Sequence, residues 1–92
     1  MKKCCVIGLG YIGLPTSTII ASSNYKVIGY DISPTIIKTI KKGKAHFNEK
    51  NLNQLLKQVI DSGKLSASQF IESAEIFIIT VPTPLDKKIN SN

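Results

Sequence analysis

The chain has 92 residues and a formal net charge of +6; 42% of its residues are hydrophobic and 20% are charged. This composition is typical of one small globular domain and argues against intrinsic disorder. No segment approaches the roughly 18 to 20 apolar residues of a membrane span, and the apolar start is too short for the core of a signal peptide, so we expect a cytoplasmic protein without a membrane partner.

The chain starts with a predicted strand that leads directly into a predicted helix. Residues 2–7 are mostly apolar and partly β-branched, and the glycines of Gly8-Leu9-Gly10 end this run. Over residues 11–23 a stripe recurs at helical spacing, formed by Ile12, Thr16, Ile19 and Ile20. The pattern predicts a strand, a tight turn and a helix in succession.

Two adjacent cysteines, Cys4 and Cys5, lie in the first predicted strand. Neighbouring side chains of a strand point to opposite faces, which excludes a disulfide framework. We interpret both as buried apolar side chains. The alternative, a reactive thiol, requires a nearby base or helix N-terminus, and the first six residues offer only Lys2 and Lys3.

A second predicted strand, residues 26–31, ends on the acidic residue Asp31. In the helix that follows, Ser33 suits the N-cap, Pro34 suits the first helical position and Gly43 suits the end. Its apolar stripe comprises Ile36, Ile37 and Ile40.

The densest group of basic residues closes this second helix, and it comprises Lys38, Lys41, Lys42 and Lys44. Cations are stabilised near the negative end of the helix dipole, and no aromatic residues are interleaved with these lysines to stack on bases. We therefore favour a solvated face and expect no nucleic-acid partner. A basic nucleic-acid-binding domain is the weaker alternative.

A third helix is predicted from the apolar positions Leu52, Leu55, Leu56, Val59 and Ile60. Asn51 together with Gln54 could cap its start, and Gly63 could end it.

The last predicted strand follows a polar connector over residues 64–74. Residues 76–81 are apolar on both faces, as expected of a parallel strand that is covered on two sides. Pro82 and Pro84 stop the strand, and residues 86–92 read as a flexible tail.

The order strand, helix, strand, helix, helix, strand predicts an α/β fold. We expect a Rossmann-type half domain with a three-stranded parallel sheet of order 3-2-1 and helices on both faces, connected by right-handed crossovers.

The pattern Gly8-x-Gly10-x-x-Gly13 lies between the first strand and the first helix, and Asp31 ends the second strand. In this setting Gly8 permits the tight turn, Gly10 lets backbone approach a pyrophosphate and Gly13 lets helix and strand pack closely. Asp31 can accept hydrogen bonds from the ribose hydroxyls and would repel a 2′-phosphate, so the pattern predicts NAD rather than NADP. The alternatives are a turn without a ligand and an Asp31 that only caps the next helix.

Two further polar residues are weaker candidates for a role in binding. Thr83 follows the last strand at the edge where parallel sheets bind ligands, and its hydroxyl could contact the cofactor. A plain strand-ending turn explains it equally well. His46 has no second ligand type at metal spacing, so we predict no metal site and expect a packed or solvated side chain rather than a catalytic one.

Five ordered segments extend over essentially the whole chain, and they are Val6-Ile-Gly-Leu-Gly-Tyr-Ile-Gly-Leu-Pro-Thr16, Gly29-Tyr-Asp31, Lys42-Gly-Lys-Ala-His46 with Glu49, Gly63-Lys-Leu65 and Val81-Pro-Thr-Pro84. Together they resemble the UDP-glucose/GDP-mannose dehydrogenase family.

This resemblance implies an NAD-dependent enzyme that oxidises the C6 hydroxyl of a UDP-linked N-acetylhexosamine to a carboxylate, with UDP-N-acetyl-D-mannosamine as the best-matching substrate. It implies that Tyr11, Ile12, Asp31 and Thr83 contact NAD. The family's catalytic cysteine belongs to a later domain, and neither cysteine of the first strand matches it.

We therefore expect the chain to be the N-terminal part of an NAD-binding domain, without the central helix and C-terminal domain and inactive by itself. The full enzyme is expected to be a homo-oligomer. If the sheet lacks its fourth strand, the first strand becomes an apolar edge through which the fragment could associate with itself. The alternative function is a stand-alone NAD-binding or redox-sensing module.

Overall fold

A parallel sheet of four strands organises the computed structural model, which describes residues 2–47 and 49–80. The strands are β1 (Lys3–Ile7), β2 (Lys26–Tyr30), β3 (Leu65–Ser68) and β4 (Ile76–Ile79), in the spatial order β3-β2-β1-β4. The helices are α1 (Gly13–Ser22), α2 (Pro34–Lys41) and α3 (Lys50–Asp61). The predicted α/β class and parallel sheet are confirmed.

The predicted number of strands is wrong, because β3 lies within the residues that we assigned to a polar connector. Leu65 and Ala67 are buried, whereas Ser66 and Ser68 are more exposed. This alternation is that of a strand with one covered face. β3 pairs with β2, with Leu65 opposite Val27. Leu65 is its only large apolar residue, so β3 gives a weak pattern beside the apolar runs of β1 and β4.

β1 is a central strand, which corrects the expectation that it forms an exposed edge. Cys4 lies opposite Val27 of β2 on one side and opposite Ile76 of β4 on the other. The last strand predicted from the sequence therefore joins the sheet beside β1, on the side where we expected no strand. Self-association through β1 loses its physical basis, since neighbouring strands already pair with both of its edges.

All three helices pack on one face of the sheet, so the expectation of helices on both faces is wrong for the described residues. One buried cluster joins the strand residues Cys4, Val6, Val27, Leu65 and Ala67 to the helix residues Leu14, Ala21, Ile37, Ile40, Leu52, Leu56 and Val59. On the opposite face Cys5 and Ile28 are buried, but Phe77 and Ile79 of β4 are 48% and 70% exposed. Among the described residues β4 is therefore not covered on two sides.

The buried face of α1 differs from the stripe that the spacing predicted. Ile12 and Ile19 are exposed, and the buried positions are Gly13, Leu14, Ser17, Thr18 and Ala21. The Ser17 and Thr18 hydroxyls donate to the carbonyl oxygens of Gly13 and Leu14, at 2.7 and 2.8 Å. Because the helix backbone satisfies these hydroxyls, small polar residues can fill a core position that a count of apolar residues overlooks.

The signals for the ends of α2 are confirmed, and those for α3 only in part. Ser33 caps α2 by accepting a hydrogen bond from the Ile36 amide at 3.3 Å, and Pro34 is its first residue. α3 begins at Lys50, one residue before its predicted cap Asn51, and its N-cap is Glu49.

No helix in the described parts of the chain is long and apolar enough to cross a membrane.

Candidate functional site

The glycine turn after β1 begins at a residue that requires glycine. Gly8 has φ +100°, a conformation that side chains rarely adopt, and its amide donates to the Tyr30 carbonyl at 2.8 Å. A Cβ at this position would lie 2.5 Å from the carbonyl oxygen of Thr80. The chain can therefore leave the sheet here only with a glycine.

Gly13 lets α1 begin directly against the end of β1. A Cβ on Gly13 would lie 1.7 Å from the carbonyl oxygen of Gly8 and 2.7 Å from Thr80 Oγ1. The close helix–strand packing that the sequence predicted at Gly13 is therefore present.

The outer side of the turn is open and carries backbone donors. A Cβ on Gly10 would have no atom within 4 Å. The backbone amides of Gly10, Tyr11, Ile12 and Gly13 donate to no other backbone group in the described part of the chain, whereas Leu14 donates back to the Gly10 carbonyl at 3.1 Å. Free amides and the positive end of a helix dipole favour an anion such as a phosphate.

Leu9 anchors the middle of the turn and was not predicted as part of the site. Its side chain is 1% exposed and lies over Gly29, where a Cβ would come within 2.9 Å of Leu9 Cδ2. A glycine inside a strand often indicates such a close approach, so Gly29 was the available sequence signal.

Asp31 contacts the glycine turn, as the sequence required for a dinucleotide site. Its Oδ2 accepts the Leu9 amide and its Oδ1 accepts the Ser33 amide, both at 3.0 Å. The cap of α2 is the Ser33 hydroxyl, so Asp31 does not serve only to cap that helix. A carboxylate can accept about four hydrogen bonds, and thus roughly two acceptor positions remain for a ligand.

Thr80 follows β4 directly and contacts the start of the glycine turn, and it was not predicted as part of the site. Its amide donates to the Ile7 carbonyl at 2.9 Å, and its hydroxyl donates to the Gly8 carbonyl at 2.9 Å. Thr83, which the sequence proposed as a cofactor contact, lies outside the described residues, as does the predicted tail.

The loop between α2 and α3 reaches the same turn. His46 Nε2 forms a hydrogen bond with the Leu9 carbonyl oxygen, and the ring of Phe47 packs against Tyr11 with centroids 4.6 Å apart. Tyr11 is still 75% exposed and Ile12 60% exposed. His46 is thus a half-buried, packed residue, which is one of the two states predicted for it, but its contact with the turn could not be foreseen from its position in the sequence.

The two cysteines are free and buried, as predicted, and they lie in the sheet rather than at the turn surface. Burial raises the pKa of the Cys4 thiol, and the neighbouring Cys5 raises it further. Burial is also the main cause that raises the pKa of Cys5. Both thiols are therefore protonated at neutral pH and are poor nucleophiles.

Comparison with known proteins identifies a family and several relatives. The sequence profile of the UDP-glucose/GDP-mannose dehydrogenase family, NAD binding domain, matches residues 2–92. A UDP-N-acetyl-D-mannosamine dehydrogenase from Campylobacter jejuni is 54% identical over 83 residues, which are 90% of this chain and 20% of that protein. The chain thus spans about a fifth of the length of such relatives.

Solved structures with a similar fold are also nucleotide-sugar dehydrogenases. The UDP-N-acetyl-mannosamine dehydrogenase from Staphylococcus aureus superposes with a TM-score of 0.85 at 43% identity, over 89% of this chain and 20% of that chain. A UDP-glucose dehydrogenase from Pyrobaculum islandicum superposes with a TM-score of 0.79 at 31% identity, over 91% of this chain and 21% of that chain.

Proposed function

Because the chain belongs to the UDP-glucose/GDP-mannose dehydrogenase family and matches its NAD-binding domain, we propose that it supplies the NAD site of a nucleotide-sugar 6-dehydrogenase. The observation that carries the proposal is the hydrogen bond between the Leu9 amide and the Asp31 carboxylate. This hydrogen bond holds the carboxylate, which can bind a ribose, beside a turn whose free amides suit a diphosphate. A dinucleotide contains both a ribose and a diphosphate.

The residues of the turn fit such a ligand, and each has its own role in the proposal. The open side of Gly10 leaves room for the pyrophosphate, and the free amides of Gly10, Tyr11, Ile12 and Gly13 can serve as its donors. Gly8 maintains the turn, Asp31 accepts the ribose hydroxyls, and Thr83 adds a contact from the segment after β4.

NAD is favoured over NADP because Asp31 would repel a 2′-phosphate. Within the described residues no cation forms an ion pair with Asp31 and offsets this repulsion. When bound, NAD supplies the hydride acceptor for oxidation of an alcohol. The chain's own residues bind and orient it.

We expect the 92-residue chain to bind NAD without oxidising a sugar. A covalent mechanism needs an activated thiolate near the cofactor, and the buried cysteines of β1 do not provide one.

The proposed substrate of the whole enzyme is UDP-N-acetyl-D-mannosamine, because several relatives at about half identity are named for it. The structures that superpose well are named for different nucleotide sugars. The fold of this part therefore does not by itself distinguish one nucleotide sugar from another. The expected homo-oligomeric state and cytoplasmic location remain predictions.

Titration of the ¹⁵N-labelled chain with NAD⁺ tests the proposal. We expect the amide resonances of residues 8–13 and of Asp31 to shift progressively and to saturate, while those at the C-terminal end of α3 stay unchanged. Absence of saturable shifts at the turn would refute NAD binding by this chain.

A further inference from the structure

The loop between α2 and α3, residues 44–47, is fixed at its start by α3. The Ala45 amide donates to Asn53 Oδ1 at 2.7 Å, and the Ala45 side chain packs against the core cluster. Gly43, with φ +81°, turns the chain into this loop and lies against Lys57. The loop is therefore held in place by α3 before it reaches the glycine turn.

His46 and Phe47 form the part of the loop that contacts the turn. The Phe47 ring packs against the core cluster, against Tyr11, and edge-on against the His46 ring with centroids 4.9 Å apart. The imidazole is thus held by an aromatic neighbour while its Nε2 reaches the Leu9 carbonyl oxygen. Since a carbonyl oxygen only accepts hydrogen bonds, Nε2 must carry the proton and donate.

Both backbone groups of Leu9 then have a partner from a distant part of the chain. The Leu9 amide is bonded to Asp31, and the Leu9 carbonyl is bonded to His46. The Leu9 carbonyl and the Gly10 amide belong to one planar trans peptide, in which C=O and N–H point in opposite directions. A donor that fixes the Leu9 carbonyl therefore also fixes the Gly10 N–H, which points away from His46.

We propose that His46 is a positioning residue for cofactor binding, which aims the Gly10 amide at the phosphates of NAD. This inference rests on the proposed NAD site. It assigns to the α2–α3 loop a role in preorganising the turn, because a peptide held in its binding orientation loses less freedom when the ligand arrives.

The test compares the 92-residue chain with its His46→Ala and His46→Gln variants by calorimetric titration with NAD⁺. Removal of one orienting hydrogen bond should weaken NAD⁺ affinity roughly 5- to 10-fold in His46→Ala. Glutamine places an amide donor near the position of Nε2, so His46→Gln should recover most of this loss. Gln54→Ala, an exposed neutral change on α3, serves as the control and should bind like the wild type.

NMR spectra without any ligand provide a second readout. They distinguish an effect of His46 on the orientation of the Gly10 amide from a general loss of stability, and they do not depend on NAD⁺ binding. Without any ligand, the Gly10 amide resonance should shift in His46→Ala and return toward the wild-type position in His46→Gln. Nitrogen spectra of the wild-type imidazole should show the proton on Nε2. If the wild type does not bind NAD⁺, the proposed function fails, and these ligand-free spectra still test the inference. A folded His46→Ala variant with unchanged NAD⁺ affinity and an unchanged Gly10 resonance would overturn it, as would an imidazole that carries its proton on Nδ1 alone.

Discussion

Gly10 and Gly13 lie three positions apart in one motif, yet their surroundings are opposite. A side chain on Gly13 would collide with the backbone of Gly8, whereas one on Gly10 would enter open space. The same substitution at the two positions therefore distinguishes a glycine that the fold needs from one that the proposed NAD site needs.

Gly13→Ala should destabilise the chain by about 2 to 3 kcal/mol or more, since backbone must move to admit the methyl group. Gly10→Ala should keep the free energy of unfolding within about 1 kcal/mol of the wild type but weaken NAD⁺ binding at least about tenfold. Urea unfolding and calorimetry measure the two quantities. A Gly10→Ala variant that binds NAD⁺ normally would show that the phosphates do not approach at this point.

The cysteines give a second prediction at the scale of single residues. Because burial raises the pKa of both thiols, neither should react at an appreciable rate with a thiol reagent in the native chain at neutral pH. Both should react after denaturation, which serves as the control. Rapid labelling of the native chain would mean that β1 is accessible and that the fold of the sheet is different.

Single residues also show what the sequence could predict about the site. The glycines and Asp31 were predicted because each performs a local task that few residue types can perform. Leu9 and Thr80 were missed, and the contact of His46 with the turn was not predicted, because these roles depend on partners far away in the chain.

At the scale of elements, Glu75 connects the start of β1 to the start of β4. Its Oε1 accepts the Lys3 amide at 2.9 Å, and this hydrogen bond lowers the pKa of Glu75 below its ordinary value. A lowered pKa in the folded state means that the charged form stabilises the fold. This contribution is present above the unfolded pKa of about 4.3 and is lost as the pH falls through the folded value.

Glu75→Gln should therefore be less stable than the wild type at neutral pH, and the difference should vanish in acid. Thermal unfolding across the pH range measures this. A stability difference that stays constant with pH would contradict the assigned cause.

The elements also show where sequence patterns become unreliable. α2 and α3 were predicted almost at their observed bounds because apolar stripes and terminal glycines agree there. The stripe of α1 was misplaced, since its buried face consists largely of small residues with internally bonded hydroxyls. β3 was missed because its four residues are too few and too polar to stand out.

At the scale of the whole molecule, the strand order β3-β2-β1-β4 places β1 inside the sheet and β3 at its edge. Neighbours pair with both edges of β1, whereas β3 has a neighbour on one side only within residues 2–47 and 49–80. Strand order depends on long-range pairing, which the sequence alone did not determine.

Hydrogen exchange tests this order directly. We expect all amides of β1 to be protected and alternate amides of β3 to exchange rapidly, because only half of an edge strand's amides face a neighbour. Fast exchange at alternate positions of β1 would instead indicate that it forms an edge.

The central claim is that the glycine turn and Asp31 bind one dinucleotide, and calorimetric titration of the wild type and Asp31→Asn with NAD⁺ and NADP⁺ tests it most directly. The wild type should prefer NAD⁺. Asp31→Asn should lose about 1.5 to 3 kcal/mol of NAD⁺ binding while NADP⁺ binding is retained or improved, because a charged acceptor and its repulsion of the 2′-phosphate are removed together. Equal NAD⁺ affinity in both proteins, or a wild-type preference for NADP⁺, would contradict the claim.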